Sequence, residues 1–312
     1  MRKGRVVVLT NMKGGVGKTT DTDLLAITAS KPSLFNQKVL LIHVDLQANT
    51  TSNIKRTFNK NHFPQSFVKA VQTNTLKNAI TPLTKNLDFI AGSIAEHELA
   101  NTIIDNSKTK RDRYFYLTEM VNEIKYDYDY IFFDVAPSTD TVVDAVIMAS
   151  DYIIAVQEVR KMAMEGTSNF IEKYLQPMLN NFTDEAHFQV VGILPALLTS
   201  HKKRQLENYK ETVSIYGRDN VFHTIIKNHN RLENFGEDGI SLKDYNDRKM
   251  FALFSDLFCE LEQRITSFEE TGDVLNFQYE AQYYDSIENV TLPLGKEIEI
   301  NGVIEQKRKS AR

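Results

Sequence analysis

At 312 residues, 42% hydrophobic and 25% charged, the chain carries enough apolar sequence for a sizeable core, which excludes wholesale disorder. A formal net charge of −4 excludes a protein that is basic all over, but not a local basic patch. A single cysteine, Cys259, excludes an internal disulfide and cannot by itself supply a zinc or iron–sulfur site. It lies in the apolar run 250–259 and reads as a buried, inert thiol. The basic start is followed by an apolar run, Val6 to Leu9, too short for a signal peptide. No stretch approaches the ~18 apolar residues of a membrane span, so a cytoplasmic protein is expected.

In chain order, strands are predicted at Arg5–Thr10, Val39–Val44, Leu87–Ile90, Tyr130–Asp134, Tyr152–Val156, Gln189–Leu194 and Val221–Ile226. Most are apolar throughout rather than alternating, as strands covered on both faces are. Helical patterns fall between them, at Lys18–Ser30, Arg111–Ile124, Thr139–Ala149, Met162–Leu179 and Lys202–Tyr216. The expected fold is α/β, a mostly parallel twisted sheet with helices on both faces. Residues 1–265 read as one domain. Residues 266–312 read as a C-terminal extension with a disordered basic end that includes Lys307, Arg308 and Lys309.

The strongest chemical signal follows the first strand: Lys13-Gly14-Gly15-Val16-Gly17-Lys18-Thr19-Thr20, opening a helix. A loop that wraps phosphates needs glycines, so that backbone N–H groups can approach the oxygens, and the helix adds its positive end. Lys18 would bridge the outer phosphates of ATP and the Thr19 hydroxyl would hold Mg2+. Asp134 ends an apolar strand, a place for a carboxylate that meets the metal. The common phosphate-loop pattern has glycine at position 12; here Met12 stands there, with a second lysine, Lys13, beside it.

The segment Asn11–Thr20 resembles the deviant Walker A box of the ParA/MinD ATPases, a P-loop NTPase family. The resemblance extends over roughly residues 5 to 265. Val39–Asn49 is similar to the family's second box, Tyr130–Ser138 to its Walker B strand, and Val221–Leu232 to its late strand and loop near the base. The tail Gln47-Ala48-Asn49 and Ala136-Pro137-Ser138 favour the ParA branch. That resemblance implies an ATPase, weak when alone, that dimerises with ATP. It would bind DNA without sequence preference and segregate a plasmid or chromosome, with a centromere-binding ParB-type protein stimulating hydrolysis. It implies that Lys13 reaches a partner's phosphates, that Asp45 positions the attacking water, and that Glu165, in Glu165-Gly166, lies at the dimer interface near the nucleotide. Basic residues in the late region, Lys202, Lys203, Arg204, Lys227 and Arg231, would contact DNA. Nucleoid association in the cytoplasm follows from that reading.

Two positions depart from the family. His43 replaces the first aspartate of the second box and Leu46 replaces its proline, which leaves open slower hydrolysis or compensation by a carboxylate elsewhere. His43 reads better as a packed strand residue than as a base, and Asp45 alternatively caps the next helix. Any single basic residue is about as well read as part of a solvated face. A MinD-like role at a membrane needs a C-terminal amphipathic helix, whereas 298–304 alternates like a strand. A regulatory ATP-dependent module with little turnover is a further reading. Nitrogenase-type iron proteins need bridging cysteines that this sequence lacks. With the first strand at Arg5 there is no room for an N-terminal helix-turn-helix, so operator-specific binding is not expected unless the C-terminal segment supplies it.

Overall fold

The computed structural model describes residues 4–44, 49–93, 97–199, 202–284, 298–300 and 303–305. A seven-stranded sheet runs in the order β3-β4-β2-β5-β1-β6-β7. Its strands are β1 (Arg5–Thr10), β2 (Val39–His43), β3 (Thr81–Pro82), β4 (Leu87–Ile90), β5 (Tyr130–Asp134), β6 (Tyr152–Glu158) and β7 (Gln189–Ala196). Every pairing is parallel except β3 with β4 at one edge. Alternate residues of each strand enter two separate cores, Val7, Leu9, Leu41 and Phe132 on one face and Val6, Val8, Ile42 and Phe133 on the other. Burial on both faces is the physical reason these strands read as unbroken apolar runs.

One face is covered by α1 (Lys18–Ser30), α2 (Asn49–Phe58), α11 (Asn230–Asp238) and α12 (Tyr245–Thr271). The other is covered by α3 (Phe67–Gln72), α4 (His97–Asp105), α5 (Lys110–Tyr114), α6 (Thr118–Lys125), α7 (Thr141–Met148) and α9 (Gln176–Asn181). The remaining helices are α8 (Lys161–Ser168) and α10 (Lys203–Tyr216). A short hairpin, β8 (Ile298–Ile300) with β9 (Val303–Glu305), overlaps the stretch 298–304 read as alternating.

Three predicted elements differ. The late segment Val221–Ile226 lies beside β7 without forming a continuous strand: it has an isolated bridge between Val221 and Ile193, and Phe222 N and Ile226 N donate to Ile193 O and Pro195 O, both at 2.9 Å. Glu260 on α12 accepts from the N–H groups of His223 and Thr224, both at 2.7 Å, and so removes them from the ladder. The helix predicted at Arg111–Ile124 is two, α5 and α6, with Tyr114 and Phe115 packed against Phe182 at the break. The pattern Met162–Leu179 is α8, a π-helical stretch over Asn169–Leu175, and α9. Pro177, in the first turn of α9, has no N–H to give the preceding turn, and the ladder widens ahead of it.

The boundary expected at Ile265 falls inside α12, a 27-residue helix capped by Asp244 and ended at Gly272 with φ +83°. The chain then folds back. Asp256 of α12 accepts from Tyr279 Oη at 2.8 Å and from the N–H groups of Gln282, Tyr283 and Tyr284. Residues 272–284 therefore belong structurally with the main body. Cys259 is half-buried on the same helix. Burial, with Asp256 and Glu262 nearby, pushes its thiol up to about 12, as suits an inert cysteine.

Candidate nucleotide site

The carboxyl ends of β1, β5 and β2 lie side by side, with Leu9 and His43 both in register with Asp134. Ligand sites of open α/β sheets form at this edge. Asn11, buried just past β1, donates through Nδ2 to Val156 O of β6 and accepts from Lys13 N at 3.3 Å, which fixes where the loop departs. Gly15 and Gly17 take φ of +73° and +89°, a region closed to most side chains. Gly17 caps α1 without a side-chain hydrogen bond, leaving the first-turn N–H groups of the helix for an anion.

Lys18 is buried and folds back over the loop, its Nζ donating to Lys13 O at 2.8 Å. Thr19 Oγ1 stands 3.1 and 3.0 Å from the two carboxylate oxygens of Asp134. This is a set of hard oxygen donors, and the described residues hold no cluster of three or more His, Cys, Asp or Glu fit for a metal. Mg2+ matches such a set, because it takes few protein ligands and completes its shell with water and phosphate oxygens. Thr19 and Asp134 would hold it, and bound there it would neutralise charge on the phosphates.

Four site residues, Glu158, Arg160, Asp21 and Asp23, are missed by the sequence reading. Lys13 turns back onto the buried Glu158 at the end of β6, and Arg160 Nε approaches the other oxygen of Glu158 at 2.5 Å. Asp21, in the first turn of α1, is fully buried beside Gly17, with Oδ2 unpartnered. Burial pushes its carboxyl well above the ordinary carboxylate range, against the pull of Lys18. Asp23, two residues on, faces His43. A clue was available: two aspartates interrupt an otherwise buried helix.

Of the other predicted residues, Asp45 lies outside the described residues. Gly14, Val16 and Thr20 belong to the loop and the first turn of α1, and Val16 is buried. Glu165 is exposed on α8. Lys202, Lys203 and Arg204 are exposed where α10 begins, with Lys203 3.9 Å from Glu207. Lys227 lies over the Tyr284 ring at 5.7 Å. Arg231 is held by the carboxylates of Asp244 and, at 3.1 Å, Asp247. The basic tail at Lys307, Arg308 and Lys309 lies outside the described residues. Among the described residues no helix is long and apolar enough to cross a membrane.

The AAA domain family model matches residues 4–184. The chain is 29% identical over 267 residues to the sporulation initiation inhibitor protein Soj of Bacillus subtilis, covering 83% of this chain and 98% of that one. It is 27% identical over 245 residues to the chromosome-partitioning ATPase Soj of Treponema pallidum, covering 78% and 90%. A plasmid partition protein of Borrelia burgdorferi bound to AMPPNP superposes with a TM-score of 0.64 at 22% identity, covering 82% of this chain and 99% of that one. The phosphate loop with its second lysine, the Thr19–Asp134 pair and these similarities lead to one conclusion: the chain is an ATPase of the AAA domain family, in the ParA branch of the ParA/MinD superfamily of deviant Walker A proteins.

Proposed function

We propose that this ATPase drives DNA partition, binding ATP and Mg2+, dimerising with the nucleotides between subunits, and holding DNA without sequence preference while ATP persists. The observation that carries the reading is the pairing of Lys13 with Glu158. A lysine that points away from its own loop and rests on a carboxylate at the nucleotide edge is available to a second subunit's phosphates, where a cation stabilises charge in the transition state. Dimerisation then exchanges Glu158 for a partner's γ-phosphate. Asp45 positions the water, Glu165 lines the dimer interface, and a centromere-binding ParB-type protein together with DNA raises turnover.

DNA contact runs through Lys202, Lys203 and Arg204, which are exposed where α10 begins, with Lys227 as a further contact. Arg231 braces the loop between Asp244 and Asp247 and joins only if DNA displaces a carboxylate. One subunit of a net acidic body offers a small patch; two copies double it along one face. The test is binding of random-sequence DNA with no nucleotide, ADP and ATP. ATP-dependent binding, equal for unrelated sequences, is expected. Binding indifferent to nucleotide refutes the reading and moves the regulatory or membrane-positioning role ahead.

A further inference from the structure

Asp23, His43 and Asn53 form a fully buried polar cluster just behind the Thr19–Asp134 pair. His43 Nε2 donates to Asp23 Oδ1 at 2.7 Å, and Asn53 Nδ2 donates to Asp23 Oδ2 at 2.8 Å. Phe89 of β4 closes one side, its ring edge-on to the imidazole at 4.8 Å. Thr19 and Asp23 are four residues apart, on one side of α1. The helix therefore carries two parallel rungs, Thr19 to Asp134 on β5 and Asp23 to His43 on β2, and the two strand residues are themselves in register. His43 is the last residue of β2, and Asn53 lies in the second turn of α2. Along the chain, the residues between these anchors include Asp45.

We infer that Asp23 is the hub of a positioning clamp, fastening both flanks of the Asp45 segment to the helix that opens at the phosphate loop. Both carboxyl oxygens are used, one for each flank, so the hub holds His43 and Asn53 in place relative to the helix that carries Lys18 and Thr19. The clamp also accounts for the departure at position 43. An aspartate there would set a carboxyl against Asp23 in a fully buried site, whereas an imidazole completes the pair. This inference rests on the reading of Asp45 as the residue that positions water. All three clamp residues are buried and act through placement, where a shift of about 1 Å costs on the order of 100-fold.

The test measures kcat, ATP affinity and Tm for Asp23→Asn, His43→Asn, their double variant, Asn53→Ala, and the exchange of Asp23→His with His43→Asp. Each of the two single Asn variants should lower kcat about tenfold, with ATP affinity within about twofold. The double variant should fall no further than either single one, because the residues act as a unit. The exchange should recover most of the loss. Asn53→Ala, which removes only one tie, should lower kcat about threefold and keeps the test open if the others do not fold. Unchanged kcat in Asn53→Ala or in the folded single variants overturns the clamp, as do losses that multiply. If Asp45→Ala retains full turnover, the role of Asp45 fails and the clamp falls with it. If Asp45→Ala is inactive while the clamp variants are normal, the clamp alone is wrong.

Discussion

Two regions of this molecule gather ionisable side chains, and they treat them differently. On α12, Arg264 donates to Glu260 and to the carbonyls of Val191, Asp219 and Val221, and its guanidinium lies between the rings of Phe222 and Phe277, each 4.4 Å away. Glu260 completes itself with two backbone N–H groups. Asp256 is likewise closed by the returning chain. At the phosphate end, Asp21 Oδ2 has no partner, Lys18 rests on a carbonyl of its own loop, and Lys13 is held by a single carboxylate. Charges that hold a fold together are saturated by the fold. Charges that wait for a ligand are left with partners that a ligand can replace.

The sharpest way to break this contrast is to remove one cation from each region. Arg264→Ala leaves Glu260 buried beside an empty space and should destabilise by about 3–5 kcal/mol. In a thermal melt that corresponds to a Tm lower by about 10 °C. Lys18→Ala should leave Tm nearly unchanged and abolish ATP binding by calorimetry. Unaltered ATP affinity in that variant removes the phosphate-loop assignment. A large loss of Tm there would make Lys18 as structural as Arg264.

Asp45→Ala comes next. It should bind ATP, lose about 100-fold in hydrolysis, a typical loss for a group that handles the attacking water, and accumulate as dimer. Sedimentation that finds only monomer with ATP contradicts the two-subunit site. Lys13→Ala should bind ATP and remain monomeric, because the cation that leaves Glu158 is gone.

The basic face should respond less. With about three phosphate contacts per subunit, log affinity against log salt has a slope of about −5 for the dimer. Replacing Lys203 and Arg204 by alanine removes two contacts per subunit and should flatten that slope to about −2, with all sequences weakened alike and ATP-driven dimerisation kept. An unchanged slope makes these residues a solvated surface only.

The smallest effect concerns Asp21. Its folded carboxyl holds a proton that the unfolded chain gives up near pH 3.8, so stability falls as pH rises from there through the raised folded value. Asp21→Asn removes that loss. Its Tm should exceed wild type by a few degrees at pH 8 and by less at pH 4, measured without nucleotide. A gain that does not vary with pH shows that Asp21 is ionised in the fold.

Much of the sheet and the phosphate loop was legible in the residues. Strands buried on both faces have to be apolar throughout, and a backbone cradle for phosphates has to be glycine-rich next to a helix start, so local sequence carries both. The 27-residue α12 was not legible as a helix. Glu260, Arg264 and Asp256 sit on faces that a soluble helix would leave polar, and their burial depends on chain segments up to 73 residues away. The failure of Val221–Ile226 as a strand has the same origin, since its β-branched residues favour a ladder whose N–H groups Glu260 takes.

The sequence by itself determined the α/β class, the nucleotide loop and its second lysine, and the carboxylate at the end of β5, because each is specified by neighbours within a few residues. Only the tertiary structure decided what Lys13 rests on, why a histidine stands at position 43, and which basic residues are already paired. Those outcomes depend on side chains that meet across 13 to 145 residues of chain, as Arg231 meets Asp244, His43 meets Asp23 and Lys13 meets Glu158. Whether a charge is solvated, saturated or waiting is a property of the space around it, which only the packed fold defines.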